Sequence, residues 1–155
     1  MTSDDEAYIH FQECLTSLNR SWAILEKLES TDLDATLRSA SYRMALIEYA
    51  KPFKESRGAN RRRHALSLPQ MSQDDTKLHA RLITLRDQVL AHSDLTASDS
   101  TVYVGNVDGQ QLPLIVSNTA PQFPKFGEVR QHIENLLDFL YKQIPMYQEK
   151  VTGGP

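Results

Sequence analysis

Apolar residues recur at helical spacing in four long segments of the chain. In residues 4–30 they alternate spacings of three and four, a pattern that predicts a helix presenting one narrow stripe to a bundle core. The stripe consists of Tyr8, Phe11, Leu15, Leu18, Trp22 and Leu25. Acidic residues at the start of this segment suit the positive end of a helix dipole. We therefore predict that the chain opens with a long amphipathic helix.

A second helix is predicted to start after Thr31 or Asp32, either of which could cap it. Its predicted buried stripe consists of Leu33, Leu37, Ala40, Met44 and Ile47. Pro52 cannot donate a hydrogen bond to the carbonyl of Glu48, so we expect this helix to end or kink near Lys51.

The third and fourth helices follow the same spacing rule. Ser72 and Asp75 form a capping pattern before the third helix, whose stripe is Leu78, Leu82, Leu85 and Val89. The stripe of the fourth helix is Phe126, Val129, Ile133, Leu136 and Leu140. Pro145 is predicted to stop or bend this last helix, and residues 149–155 are expected to be a disordered tail.

Between the third and fourth helices the pattern changes to that of strands. Residues 101–104 and 112–116 flank Asp108-Gly109, which indicates a short β-hairpin. Pro113 confines the second strand to a sheet edge. The predicted fold is mainly α: a four-helix bundle with a small β-hairpin between helices three and four, formed by residues 1–148 as a single domain.

Composition limits the classes of function. The chain has 155 residues, of which 40% are hydrophobic, and a formal net charge of −3. That balance gives no overall basic field for nucleic acid. The single cysteine, Cys14, suits a reducing compartment. The acidic N-terminus is no secretory signal, and no apolar run reaches the ~20 residues of a membrane span. We therefore expect a cytoplasmic protein with no membrane partner.

Several common sites are missing from the sequence. It contains no Gly-rich phosphate loop, no dinucleotide-binding glycine pattern after a strand and no Cys/His set for zinc. The five histidines form no His-x-x-x-His pair. We expect neither a metal nor another cofactor.

One stretch, residues 78–94, breaks the pattern in an informative way. His92 continues the stripe of the third helix, where a leucine would be expected, and such local inconsistencies tend to mark function or strain. Arg86 lies about 120° around the helix axis from His92, beside the stripe. Asp87 follows Arg86 directly. The helix end thus carries an arginine, an acid and a histidine close together.

Arg86-Asp87, four further residues and His92 resemble the Arg-polar-x(n)-His motif of the HEPN superfamily. The string LRDQVLAHSD is similar to the version found in HEPN-like proteins related to abortive-infection systems, and the segment YAKPF at residues 49–53 resembles one that precedes the motif helix in that group. The similarity covers about residues 40–140 and is strong only at 85–94. Asp87 departs from the family, where asparagine is common.

The resemblance implies a homodimer in which two motif helices meet at a cleft and cleave single-stranded RNA without a metal ion. His92 would exchange a proton with the ribose 2′-hydroxyl or the leaving oxygen, Arg86 would hold the phosphorane, and Asp87 would orient one of them. Two chains would also reconcile the angular offset of Arg86 and His92. DNA would not be cut, because deoxyribose lacks the attacking hydroxyl.

A basic segment is the predicted RNA-backbone contact. Arg61, Arg62 and Arg63 are consecutive, and His79 shares a helix face with Arg86. Phosphate contacts from such residues would supply the charge that the whole chain lacks. The alternative interpretation of the arginines is a solvated loop that pairs with acidic neighbours.

The alternative function is a non-catalytic HEPN-like module that binds a protein, such as an antitoxin, or RNA. In that case His92 is a core histidine whose ring bonds a carbonyl at the helix end, and Arg86 pairs with an acid on a neighbouring helix. Sequence leaves both readings open. Ile83 and Leu90 form a second apolar edge on the motif helix, which is predicted to be available to a partner chain.

Overall fold

The computed structural model describes residues 1–59, 62–87, 100–117 and 122–153. In these residues the chain forms five α-helices and two antiparallel β-ribbons. The helices are α1 (Ser3–Ser30), α2 (Ala35–Ala50), α3 (Gln73–Leu85), α4 (Phe126–Tyr141) and α5 (Ile144–Thr152). The strands are β1 (Ser56–Arg57), β2 (Arg63–His64), β3 (Ser100–Val107) and β4 (Gln110–Ser117). The prediction of a mainly helical fold with a hairpin between the third and fourth helices is confirmed.

The first helix confirms its predicted stripe. Thr2 caps α1 through a complete capping box with Asp5, which satisfies backbone N–H groups at the helix start. The stripe residues Phe11, Leu15, Leu18 and Leu25 are buried in the common core. Trp22 is half-buried and its indole N–H donates to Glu134 of α4 at 2.8 Å. α1 therefore packs along α2 and α4 as the central element of the bundle.

The predicted stripe of the second helix is wrong. Leu37 and Met44 are 55% and 49% exposed. The buried face lies on the other side of the helix and consists of Tyr42, Ala45, Leu46, Tyr49 and Ala50. The helix is also capped later than predicted, by Asp34, whose carboxylate accepts from two backbone N–H groups. A 3-10 turn at Lys51–Phe53 contains Pro52, so the predicted helix end is confirmed.

The third helix begins as predicted. The Ser72 hydroxyl accepts from the Asp75 N–H at 3.1 Å, and Leu82 and Leu85 are buried. The predicted second apolar edge is not fully available to a partner, because Ile83 is half-buried against the core of its own chain. Leu90, Val89 and His92 lie outside the described residues.

The C-terminal region corrects the predicted tail. Pro145 stands in the first turn of α5 rather than ending the helical structure, a position where the missing N–H has no intrahelical partner to lose. Residues 149–152, expected to be disordered, belong to this helix, which Gly153 ends with a positive φ of 82°. Tyr147 of α5 stacks on Phe11 of α1 with ring centroids 4.0 Å apart. No described helix is long and apolar enough to cross a membrane.

The predicted hairpin is confirmed, including its turn. Asp108 and Gly109 both have positive φ, 52° and 83°, as a two-residue type I′ turn requires. The Asn106 side chain accepts from the Gly109 N–H at 3.0 Å and closes the turn. Pro113 lies opposite Val104 in a two-stranded sheet, so both strands are edges.

Candidate functional site

The end of α3 carries two of the three predicted catalytic residues. Arg86 is the C-cap of α3, and its guanidinium donates to the Asp87 carboxylate at 2.9 Å. The Lys54 ammonium binds the other oxygen of the same carboxylate. Burial alone would raise the pKa of Asp87, but the hydrogen bonds from Lys54 and Arg86 outweigh it and lower that pKa. An ionised carboxylate therefore lies between two cations, leaving the triplet with a positive charge.

This ion triplet also joins the two segments that carry the family resemblance. Lys54 directly follows the segment at residues 49–53, and Asp87 belongs to the motif at the end of α3. A second contact joins the segment at 49–53 to α3 about two helix turns earlier, where the Tyr49 hydroxyl lies 2.6 Å from His79 Nδ1. The Phe53 ring packs edge-on against His79, with centroids 4.6 Å apart. His92, the third predicted catalytic residue, lies outside the described residues.

His79, predicted as an RNA contact, faces the protein rather than the end of α3. It is half-buried between Tyr49 and Phe53. Burial, with a smaller effect from His132, lowers its pKa to about 4, so the ring is neutral near pH 7. A neutral imidazole has no charge to offer a phosphate. Its contacts with Tyr49 and Phe53 therefore favour a role in positioning α3 over a role in binding RNA.

A chain of buried hydrogen bonds extends from His79 into the core. The Tyr49 hydroxyl lies 2.9 Å from His132 Nε2, and His132 Nδ1 lies 3.0 Å from Asp75 Oδ1. His132 is 1% exposed and belongs to α4. Ser72 donates to the other Asp75 oxygen at 2.6 Å. Three helices, α2, α3 and α4, are thus connected by one polar chain whose buried members all have partners.

The pKa values of Asp75 and Tyr49 determine how protons are arranged along this chain of hydrogen bonds. The hydrogen bonds from His132 and then Ser72 lower the pKa of Asp75, so its carboxylate is ionised and accepts from both. Burial raises the pKa of Tyr49 far above its ordinary range, which keeps its hydroxyl protonated. The hydroxyl donates to one imidazole and accepts from the other.

Sequence reasoning did not single out Tyr49, Asp75 and His132 as a group. A signal was present for His132, which falls three residues after Val129 and four before Leu136 on the stripe of α4. It is the same kind of inconsistency that drew attention to His92.

The basic segment is tied to acidic residues. Arg62 is directed to the buried Glu6 carboxylate at 3.5 Å, and Arg63 pairs with Glu55 at 2.9 Å. Arg61 lies outside the described residues. Glu6 also accepts from the Ala59 N–H at 3.1 Å. Both described arginines have acidic partners, so part of the charge predicted for RNA contact is neutralised within the chain.

Gly58 leaves room for a contact between His64 and Glu6 next to the basic segment. His64 Nε2 lies 3.2 Å from the Glu6 carboxylate. A Cβ at Gly58 would stand 2.6 Å from Glu6 Oε2 and 2.9 Å from His64 Nε2, so a side chain there would displace the pair. Beside it, a cavity of about 260 Å³ is lined by His10, His64 and Arg57 among others.

In the described parts of the chain, no three His, Cys, Asp or Glu side chains converge as metal ligands. Comparison with family models, curated proteins and solved structures finds no match to this chain. The relation to HEPN proteins therefore stays a prediction from the residues at 49–53 and 85–94.

Proposed function

We propose that this chain is a HEPN-like domain that cleaves single-stranded RNA without a metal ion, at a site shared by two copies. Arg86 holds the phosphate, His92 transfers the proton and Asp87 orients Arg86. The observation that carries the proposal is the Lys54–Asp87–Arg86 triplet, which ties the motif at the end of α3 to the residue that directly follows the segment at 49–53.

The geometry of Arg86 is compatible with a phosphate clamp. Its side chain is 29% exposed, and one of its five N–H donors is engaged by Asp87. Among the described residues no other partner of these donors is found, so they are offered to a phosphate, and Lys54 adds a second positive charge within the same cluster. A fixed guanidinium of this kind stabilises the negative charge that develops on a phosphorane.

The same triplet supports a second candidate function, a non-catalytic module that binds RNA or a protein such as an antitoxin. Arg86 and Asp87 already satisfy one another within the chain, and Lys54 completes the pair. In this interpretation the ion triplet fixes the end of α3 to the segment after α2, and no reaction takes place there.

A cleavage assay separates the two functions. Wild-type protein is expected to cut mixed single-stranded RNA equally with and without EDTA. His92→Ala should slow cleavage by roughly 10²–10⁴-fold with little change in RNA affinity, since general acid–base catalysis contributes about that much. Arg86→Ala should abolish turnover. Arg43→Ala, an exposed arginine of α2, is the matched control and should cut at the wild-type rate.

Intact RNA after incubation with wild-type protein would reject catalysis. If Arg86→Ala then also lowers the melting temperature while Arg43→Ala does not, the structural role of the triplet is supported.

A further inference from the structure

The hairpin formed by β3 and β4 exposes apolar side chains on both of its faces. Val102, Val104 and Ile115 on one face are 63%, 68% and 74% exposed. Tyr103 and Leu114 on the other face are 54% and 48% exposed. Asp108, in the turn, carries the only formal charge in residues 100–117. Exposed apolar side chains clustered in this way mark an interaction site.

The two edges of the hairpin differ in what they offer a further strand. Pairs in an antiparallel ladder alternate between hydrogen-bonded and non-hydrogen-bonded, and the pair that flanks a two-residue turn is hydrogen-bonded. Counting from Val107–Gln110, the pair Val104–Pro113 is non-hydrogen-bonded, so the backbone groups of both residues point away from the partner strand.

Pro113 therefore blocks one edge and leaves the other open. It has no N–H, so the outer edge of β4 lacks a donor at its centre. On β3 the corresponding outward N–H and C=O groups belong to Val102, Val104 and Asn106. Among the described residues none of these backbone groups has a partner outside the hairpin. An exposed edge without charge or proline is a template for pairing with another strand.

We infer that β3 pairs with β3 of a second copy of this chain, giving a four-stranded antiparallel sheet in the order β4–β3–β3–β4. A two-fold axis perpendicular to the sheet brings identical edges together in antiparallel orientation. The edge is uncharged, so self-pairing brings no like charges together. The inference is argued from the hairpin alone. The proposed function also needs two copies, and a monomeric Val104→Pro would mean that the β3 edge, rather than a cleft between α3 helices, holds those copies together.

Proline substitution tests which edge is used. Val104→Pro removes an outward N–H from β3 without removing a hydrogen bond of the β3–β4 ladder. Ile115→Pro is the matched control, because Ile115 pairs with Val102, lies on the same face and points its N–H to the blocked edge of β4. By multi-angle light scattering at tens of micromolar, wild type and Ile115→Pro should have the mass of a dimer, and Val104→Pro half that mass.

A second pair of variants guards against distortion by proline. Val104→Lys places like charges on both sides of the two-fold axis and should also halve the mass, whereas Ile115→Lys should not. Helical circular dichroism should be unchanged in all four variants, because the described helices do not depend on the hairpin for their core.

Three results would overturn the inference. Monomeric wild type would mean that the hairpin is covered by its own chain or by another protein. A dimer that survives both Val104 variants would place the interface elsewhere, for example at a cleft between α3 helices. Equal loss of mass in the Val104 and Ile115 variants would show that dimer formation does not depend specifically on the β3 edge.

Discussion

The bundle and the hairpin treat polar and apolar groups in opposite ways. In the bundle, a histidine that is 1% exposed, His132, has a partner on each ring nitrogen. In the hairpin, apolar side chains as large as Ile115 and Tyr103 are mostly exposed to solvent. The bundle buries a polar chain whose members are hydrogen-bonded, whereas the hairpin exposes apolar side chains that no described residue covers.

This difference separates what stabilises the fold from what is left for a partner. Burial of apolar surface and satisfied polar groups hold the bundle together. The hairpin adds little to that core, because its side chains do not enter it. Substitutions of the same kind should therefore have very different effects in the two regions.

The largest effect is expected from truncating a core side chain. Leu136→Ala removes a side chain that is fully buried at the centre of α4 and should lower the free energy of unfolding by about 2–5 kcal/mol. Ile115→Ala, in the hairpin, should change it by less than about 0.5 kcal/mol. Urea unfolding followed by helical circular dichroism measures both. Comparable losses would mean that the hairpin is part of the core after all.

An intermediate effect is expected from breaking the buried polar chain. Tyr49→Phe removes the hydroxyl between His79 and His132 and should cost roughly 1–3 kcal/mol, because two imidazole nitrogens lose their partner. Tyr42→Phe is the matched control: its hydroxyl donates only to the Pro124 carbonyl, a bond worth about 1 kcal/mol. Chemical denaturation of both variants should rank Tyr49→Phe as the more destabilised. The reverse order would show that the hydrogen-bond chain through Tyr49 does not stabilise the fold in this way.

The last effect concerns pH and arises at His79, which keeps some contact with solvent. Its pKa is about 4 in the folded protein against an ordinary value of 6.5. Between these values the unfolded chain binds a proton that the folded chain does not, so the free energy of unfolding should fall as pH is lowered through this window. Below it, both states are protonated and this group causes no further loss.

His79→Gln supplies the control for the pH prediction, because glutamine does not titrate. Urea unfolding across the window should show a shallower decline in this variant than in wild type. Part of the slope should persist, since burial also lowers the pKa of His10. Parallel curves for the two proteins would contradict the assignment to His79.

The sequence predicted elements better than it predicted faces. The buried face of α1 was predicted correctly because large apolar residues such as Phe11 and Leu18 mark its stripe without ambiguity. The buried face of α2 was predicted wrongly because its core face consists largely of tyrosine and alanine, whereas Leu37 and Met44 are exposed to solvent. By hydrophobicity alone, Leu37 and Met44 are better candidates for burial than tyrosine and alanine. The packing of α1 against α2 nevertheless buries the tyrosine and alanine face.

The candidate site was predicted in part. Arg86 and Asp87 lie at the end of α3 and contact one another, as their adjacency suggested. The link from Asp87 to Lys54 could not be read from the chain, because it joins residues 33 positions apart. The chain from Asp75 through His132 to Tyr49 likewise depends on three helices meeting, which a pattern along one helix does not reveal.

Pro113 has a consequence for how far assembly can proceed. A sheet that grows by adding strands needs a free edge after each addition. Two hairpins joined through β3 would present only β4 edges, and each of these lacks a donor at its centre. Growth would therefore stop at four strands, so that one imino acid would separate a finite pair from an open-ended fibre.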